Sequence, residues 1–407
     1  MTARQHGSIF SNTVWLSLMF SLSRPVGATL MTAGTSIGAG MLALPIVASQ
    51  LGFLTASLLV LVSWGMMFGA ALLTVEVNLS VRPGCTLFVM ASQTLSNGGR
   101  LLVIAAVVFL YYSLLAAYMA GGGQQVGHYL SVLWPQSDHS SGLGPILFAL
   151  VFSLVIVVGV KGIDLCNRLL FMVMLGAFTV ACGALLAEVQ VDQVVRLPED
   201  HRAILAALPV ICTAFGYHGS IPSLVAYVGP DRAVLRRVLL YGSLLPLVLY
   251  LAWLATCFGL LEGNDLAALA GDTGIPDLIA RLSAAQPDSP YVATALNLFS
   301  SLALITSFLG VAWGLFDFVH SALSCSSRWR TALVVFVPPA VIACTLSGVY
   351  VAALNYAAFA LALLAVVIPV AMLFSLYRSG RLQSQPSLWL VVPVCIYGGL
   401  VCYLTVQ

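Results

Sequence analysis

Long apolar runs dominate this chain and constrain its fold more than any other feature. A membrane-spanning helix needs about 20 apolar residues, and many of the runs reach that length. Only 7% of the 407 residues are charged and 60% are hydrophobic, whereas a soluble domain is about 25% charged. The runs also lack the strict alternation of a β-barrel strand. The sequence therefore predicts an all-α integral membrane protein embedded in the lipid bilayer.

Eleven transmembrane helices fit the apolar pattern, and we number them span 1 to span 11. Helical runs of this length are the clearest signal in such a sequence, although their ends are set only to within a few residues. The spans cover residues 26–47, 52–80, 101–131, 145–160, 166–187, 203–226, 235–260, 290–318, 332–346, 350–376 and 388–406.

The distribution of charge sets the orientation of these spans. With the N-terminus in the cytoplasm, all but three of the sixteen basic residues fall on the cytoplasmic side, the exceptions being Arg196, Arg202 and Arg281. Most acidic residues lie in two outer segments, 188–200 and 262–288. Cytoplasmic loops of membrane proteins carry this excess of Lys and Arg. We therefore expect the N-terminus inside, the C-terminus outside, and an odd number of spans.

Span 1 carries a stretch that a plain membrane anchor would not contain, Gly34–Pro45. It holds three glycines, Gly34, Gly38 and Gly40, and ends on a proline. Glycine costs about 1 kcal/mol and proline about 3 kcal/mol in a helix interior. Broken backbone is tolerated in a membrane only where its polar groups line a cavity or meet a partner. The stretch predicts a helix that is broken in mid-membrane; close packing through Gly34 and Gly38 is the alternative.

Span 6 carries a second interruption, Ala214–Pro222, which contains two glycines and a proline. It follows the first interruption by five spans, and an odd offset inverts the second half of the chain relative to the first. Interrupted helices at matching positions of two inverted halves mark the substrate site of secondary transporters. The pairing therefore predicts a transporter with a five-plus-five inverted repeat.

The domain organisation follows from this pairing. Residues 26–376 form one membrane domain, in which repeat 26–190 is followed by the inverted repeat 200–376. Residues 377–407 add the eleventh helix. Residues 1–25 form an N-terminal extension that lies in the cytoplasm or at the membrane interface.

The break in span 1 offers backbone N–H groups to an anion. These groups start the second half-helix, whose positive end suits a carboxylate. Small residues let a ligand approach the backbone closely. The candidate carboxylate-binding residues are Ile37, Gly38, Ala39 and Gly40.

The break in span 6 offers carbonyl groups, which accept hydrogen bonds from an ammonium group, and aromatic rings. Two tyrosines of span 3 are weaker candidates for the wall of an aromatic pocket. For each ring, packing in the core is the alternative. The candidates are Ala214, Phe215, Gly216 and Tyr217 in span 6, with Tyr112 and Tyr118 in span 3.

Five further residues are candidates for ion coupling or gating. His218 lies near mid-membrane, where an ionisable group is a functional candidate by default, although a carbonyl can also satisfy a neutral histidine. Glu76 and Asp317 lie at cytoplasmic helix ends and fit an inner gate or proton path that pairs with arginines; interfacial charges are the alternative. Thr306 and Ser307 could hold Na⁺ together with carbonyls of span 1, or bond back to their own helix.

Three blocks of this sequence, Gly34–Pro45, Leu208–Ser223 and Thr306–Asp317, resemble the hydroxy/aromatic amino acid permeases. This family belongs to the amino acid–polyamine–organocation superfamily, and the resemblance is closest to its tyrosine-specific members, then to its tryptophan permeases. It implies a LeuT-type fold of eleven helices and proton-driven uptake of an aromatic amino acid in the bacterial inner membrane. The residues before Gly27 depart from the family pattern. Span 5 also lacks the basic residues that couple protons in other branches of the superfamily.

We therefore expect a proton symporter for an aromatic amino acid, with tyrosine favoured, that works by alternating access. Tryptophan, phenylalanine or a small hydroxy amino acid as substrate, and Na⁺ as coupling ion, are the alternatives within transport. A substrate-sensing receptor of transporter fold is the alternative outside it. We expect a monomer with no cofactor, no metal, no catalytic residues and no nucleic-acid partner, because the sequence contains no Walker motif, metal-ligand cluster or nucleophile–base motif.

Overall fold

The computed structural model describes residues 23–133, 140–159, 163–189, 202–261, 265–266, 268–270, 274–322, 327–346, 348–384 and 386–406. Within these ranges the chain is helical and contains no strand. The predicted extension 1–25 lies almost entirely outside the described residues. The first helix begins at Arg24, so the last two residues of the predicted extension belong to that helix.

Helices occupy all eleven predicted segments, and we keep the span numbers as their labels. Two short helices that the sequence analysis did not predict, Leu87–Thr94 and Gly274–Ala284, lie in the connections. The spans are Arg24–Ser36 with Ala39–Val47 (span 1), Gly52–Val81 (2), Asn97–Leu133 (3), Ser140–Val158 (4), Ile163–Leu185 (5), Arg202–Ala214 with Ile221–Val228 (6), Arg232–Leu260 (7), Pro290–Ala322 (8), Arg328–Thr345 (9), Val349–Ala362 with Ile368–Arg378 (10) and Leu388–Leu404 (11).

The apolar character of these helices confirms the membrane class. Among the described residues, seven helices are long and apolar enough to cross a membrane, and span 1 makes eight if its bent pair is one crossing. Two more, Leu143–Val158 and Leu388–Leu404, are apolar but shorter. The protein is therefore an all-α, multi-pass membrane protein.

Both predicted helix breaks are confirmed. The two halves of span 1 meet at 48°, with Ile37 and Gly38 in extended conformations between them. Span 6 ends its first half at Ala214 and resumes at Ile221 after a single 3₁₀ turn, His218–Ser220.

The glycine run of span 3, Gly121–Gly123, brings span 4 into close contact. A Cβ added to Gly122 would lie 2.3 Å from the ring of Phe148, and one added to Gly123 would lie 2.5 Å from the backbone nitrogen of Pro145. Stripes of small residues allow such close approach of helices in a membrane, where van der Waals packing drives association. The run therefore packs helices together.

The connection between spans 7 and 8 contains the helix Gly274–Ala284. This helix buries Ile275, Leu278 and Leu282, and it packs against spans 3 and 8 and the second half of span 1.

We predict that Gly123→Ala destabilises the protein by roughly 1–3 kcal/mol, because the new methyl group meets backbone atoms that cannot move aside. Gly176→Ala in span 5 is the matched control, since its Cβ would meet no atom within 4 Å. Alanine there gains about 1 kcal/mol of helix propensity at most. Melting temperatures of the purified proteins in detergent test this; equal stability of the two variants would contradict the packing role.

Candidate functional site

The two helix breaks lie against each other in the middle of the bundle. A Cβ added to Gly40 would lie 3.4 Å from Cα of Ala214, the last residue of the first half of span 6. Ile37, Ala39 and Ala214 are all buried. The structure therefore brings together the two segments that the sequence analysis paired.

Three side chains from other helices satisfy backbone groups exposed by the break in span 1. The Tyr250 hydroxyl of span 7 lies 2.6 Å from the carbonyl oxygen of Ser36. The Tyr350 hydroxyl of span 10 donates to the carbonyl oxygen of Ala39. The Ala39 N–H donates to Oγ of Ser307 in span 8, at 3.1 Å. A broken helix in a membrane needs partners of this kind.

Two of the four candidate carboxylate donors are already bonded. The Ile37 N–H donates to the carbonyl oxygen of Ala33 at 2.9 Å, and the Ala39 N–H is taken by Ser307. Within the described part of the chain, no acceptor bonds the N–H groups of Gly38 and Gly40. These two groups are left to hold an anion at the start of the second half-helix.

The carbonyl groups of the span 6 break are also unequally available. The carbonyl oxygen of Ala214 lies 2.8 Å from the Tyr250 hydroxyl, and that of Phe215 accepts from the Tyr217 N–H at 3.1 Å. The carbonyl of Gly216 accepts no hydrogen bond from the described residues. It is the acceptor left for an ammonium group.

The candidate aromatic residues separate into different environments. Phe215 is fully buried, with its ring centroid 5.3 Å from that of Tyr250. Tyr118 is buried in the same core cluster as Phe215, Tyr250 and Tyr350. The structure thus places Phe215 beside the two breaks and Tyr118 in the core around them.

The other two candidate tyrosines lie away from this region. Tyr217 packs in a separate cluster with Ala71 and Leu239, and its ring stacks on His218 at 4.9 Å. The Tyr112 hydroxyl donates to the carbonyl oxygen of Val334 in span 9, at 2.7 Å. Neither ring packs beside Phe215 in the structure.

His218 is buried with a carbonyl partner. Its Nε2 lies 3.0 Å from the carbonyl oxygen of Met67 in span 2, and its Nδ1 is buried without a partner among the described residues. The contact matches the alternative in which a carbonyl satisfies a neutral histidine. The second ring nitrogen stays available for a proton.

Glu76 forms an ion pair at the inner ends of spans 2 and 7. Both oxygens of its carboxylate accept from Arg232, at 2.9 and 3.1 Å, and Arg232 also donates to Gln383 at 3.2 Å. The expected pairing with an arginine is present for Glu76, whereas Asp317 is exposed on the surface of span 8.

The two hydroxyl residues of span 8 have different partners. Thr306 bonds back to the carbonyl oxygen of Leu302, at 2.8 Å, as in the alternative for this residue. Ser307 donates to the carbonyl of Ala303 at 2.7 Å while accepting from Ala39. Ser307 is therefore part of the broken region, where its hydroxyl both donates and accepts a hydrogen bond.

Tyr250 and Tyr350 are the two residues at the breaks that the sequence analysis missed. Each is a tyrosine in an apolar helix, which is typical of core packing. The available signal was that a buried phenol needs a hydrogen-bond partner. The sequence does not show that this partner is a broken helix more than 200 residues away.

We predict that Gly38→Ala destabilises the protein by roughly 1–3 kcal/mol, since packed regions do not accommodate an added methyl group. Its Cβ would lie 2.1 Å from Oγ of Ser307 but 3.3 Å from Cβ of that residue. Adding Ser307→Ala should therefore recover part of the loss, a coupling that melting temperatures of the four proteins of the double-mutant cycle measure. Additive losses would contradict the contact.

The chain has close relatives among transport proteins. Tyrosine-specific transport system 1 of Haemophilus influenzae is 36% identical over 363 residues, which cover 88% of this chain and 90% of that protein. The tryptophan-specific transport protein of Pseudomonas aeruginosa is 31% identical over 85% of each chain. Glutamine transporter 2 of Aliivibrio fischeri is also 31% identical, over 86% of this chain and 89% of that protein.

A solved structure shares the fold. The crystal structure of MhsT in complex with L-phenylalanine superposes with a TM-score of 0.65 over 94% of this chain and 98% of MhsT, at 13% identity. This likeness confirms the LeuT-type architecture. The sequence profile of the tryptophan/tyrosine permease family matches residues 23–401. The chain belongs to the tryptophan/tyrosine permease family.

Proposed function

We propose that this protein is a secondary transporter that imports an aromatic amino acid, with tyrosine favoured. The observation that carries the proposal is the contact between the two broken helices. Among the described residues, the break in span 1 carries unbonded N–H groups at Gly38 and Gly40, and the break in span 6 carries an unbonded carbonyl at Gly216. These groups are complementary to the carboxylate and the ammonium of one amino acid.

The aromatic side chain of the substrate is supported by the neighbours of the breaks and by the relatives. Phe215 offers aromatic surface beside the two breaks, and Tyr118 lies in the core around them. The relatives named for tyrosine and tryptophan transport favour the same class of substrate. Tryptophan, phenylalanine, serine and threonine are the alternative substrates. The similarity to a glutamine transporter adds glutamine to the substrates that a test must include.

Transport would proceed by alternating access, with eleven helices crossing the bacterial inner membrane. Spans 1–5 and 6–10 would form the inverted repeats and span 11 the addition, with a cytoplasmic N-terminus and an outer C-terminus. One group of helices would rock against the other around the two breaks. The protein would work as a monomer, and the pair Glu76–Arg232 would contribute to closing the inner side.

The coupling ion would be a proton, with no cofactor. His218 would carry the proton at its unpartnered Nδ1. Na⁺ symport, and a receptor that binds without transport, are the alternatives.

We predict that the purified protein in liposomes accumulates labelled L-tyrosine when the outer medium is more acidic than the lumen. A protonophore should abolish accumulation, and an imposed Na⁺ gradient should not drive it. Competition by L-phenylalanine, L-tryptophan, L-serine and L-glutamine ranks the substrates. Binding of L-tyrosine without flux would indicate a receptor, and stronger competition by serine or glutamine would overturn the aromatic assignment.

We further predict that His218→Ala loses proton-driven accumulation of L-tyrosine more than it loses tyrosine exchange, because exchange carries no net proton. His320→Ala is the matched control. His320 is a partly buried histidine at the inner end of span 8, where its Nδ1 lies 2.9 Å from Oγ1 of Thr331. Equal loss of accumulation and exchange in His218→Ala would make His218 a binding residue instead of a proton carrier.

A further inference from the structure

One phenol group lies between the two helix breaks. The hydroxyl oxygen of Tyr250 is 2.6 Å from the carbonyl oxygen of Ser36 and 2.8 Å from that of Ala214. Ser36 ends the first half of span 1, and Ala214 ends the first half of span 6. Both carbonyls are therefore helix ends that have lost their partners in the next turn.

This arrangement supplies one hydrogen to two acceptors. A tyrosine hydroxyl carries a single hydrogen, so it donates to one of the two carbonyls at a time. Tyr250 is fully buried, and its ring is held against Phe215. A buried carbonyl that lacks a donor is costly. The two breaks are thus held by one bond that cannot satisfy both of them.

The other side chains at the breaks do not share this property. Tyr350 donates to Ala39, and Ser307 accepts from Ala39, so both act on span 1 alone. The Thr213 hydroxyl lies 3.1 Å from the carbonyl oxygens of Pro209 in its own helix and of Leu354 in span 10, so it bonds the backbone of neither break. Among the described residues, Tyr250 is the one whose side chain bonds the backbone of both breaks.

We infer that Tyr250 is a positioning residue that couples the two breaks and that the substrate completes its hydrogen bonding. This inference rests on the proposed function. When an ammonium group donates to one of the two carbonyls, the Tyr250 hydroxyl can donate its hydrogen to the other carbonyl. Both helix ends are then satisfied, so the broken halves of spans 1 and 6 become ordered together when the amino acid binds. Tyr250 acts through the backbone and does not itself need to contact the substrate.

The first test is Tyr250→Phe, which removes the hydroxyl and keeps the ring. Hydrogen–deuterium exchange without substrate should become faster at residues 36–41 and at residues 214–217 together. Uptake of L-tyrosine in liposomes should fall by about tenfold or more, the range expected from losing a buried hydrogen bond. Thr256→Val is the matched control on the same helix, because it removes a 2.9 Å hydrogen bond to the carbonyl oxygen of Ala252 within span 7. It should change neither measurement by more than twofold.

The second test replaces Tyr250 with 4-aminophenylalanine by codon suppression. The amino group carries two hydrogens on the same ring position, so it can donate to both carbonyls at once. Hydrogen–deuterium exchange at both breaks should then be slower than in the natural protein. The additional slowing caused by L-tyrosine should be smaller in this variant than in the natural protein. This variant decides the inference even if Tyr250→Phe fails to fold.

The outcomes separate this inference from the proposed function. Failure of the natural protein to take up L-tyrosine would count against the function, while the exchange measurements without substrate would still report on Tyr250. A change of exchange at one break alone, or equal effects of Tyr250→Phe and Thr256→Val, would overturn the coupling role. Faster exchange in Tyr250→Phe and slower exchange in the aminophenylalanine variant, each at both breaks, would support the coupling role.

Discussion

The hydrogen bonding of interrupted backbone inside the membrane is the constraint on which this structure depends. A continuous helix satisfies its own N–H and C=O groups, but a broken one needs partners from elsewhere in the protein. Here Tyr250 donates to the carbonyl of Ser36 at the end of the first half of span 1, and Tyr350 and Ser307 bond the carbonyl and the N–H of Ala39 at the start of the second half. The groups that these side chains leave unbonded define the candidate site.

Close packing and hydrogen bonding act at the same positions. A Cβ at Gly38 would collide with Oγ of Ser307, whereas one at Gly40 would meet Cα of Ala214 at 3.4 Å, an ordinary contact distance. A larger residue at Gly38 would separate the helices whose contacts satisfy the break. Glycine therefore serves here through close approach of neighbouring helices.

The proposed site divides recognition between backbone and side chains. Its backbone groups would bind the part that all amino acids share, the carboxylate and the ammonium. Selectivity would then fall to side chains around the breaks, and Phe215 is such a side chain in this protein.

The sequence by itself determined the membrane class, the positions of the helices and the two breaks, because apolar length, glycine and proline act locally. It also led to the N–H groups of Gly38 and Gly40 and to the carbonyl of Gly216, which are unbonded among the described residues. Tertiary structure alone decided that Tyr217 packs away from Phe215 and that Tyr250 bridges both breaks. A side chain's partner depends on how distant helices pack, and the pattern of one helix carries no record of its neighbour.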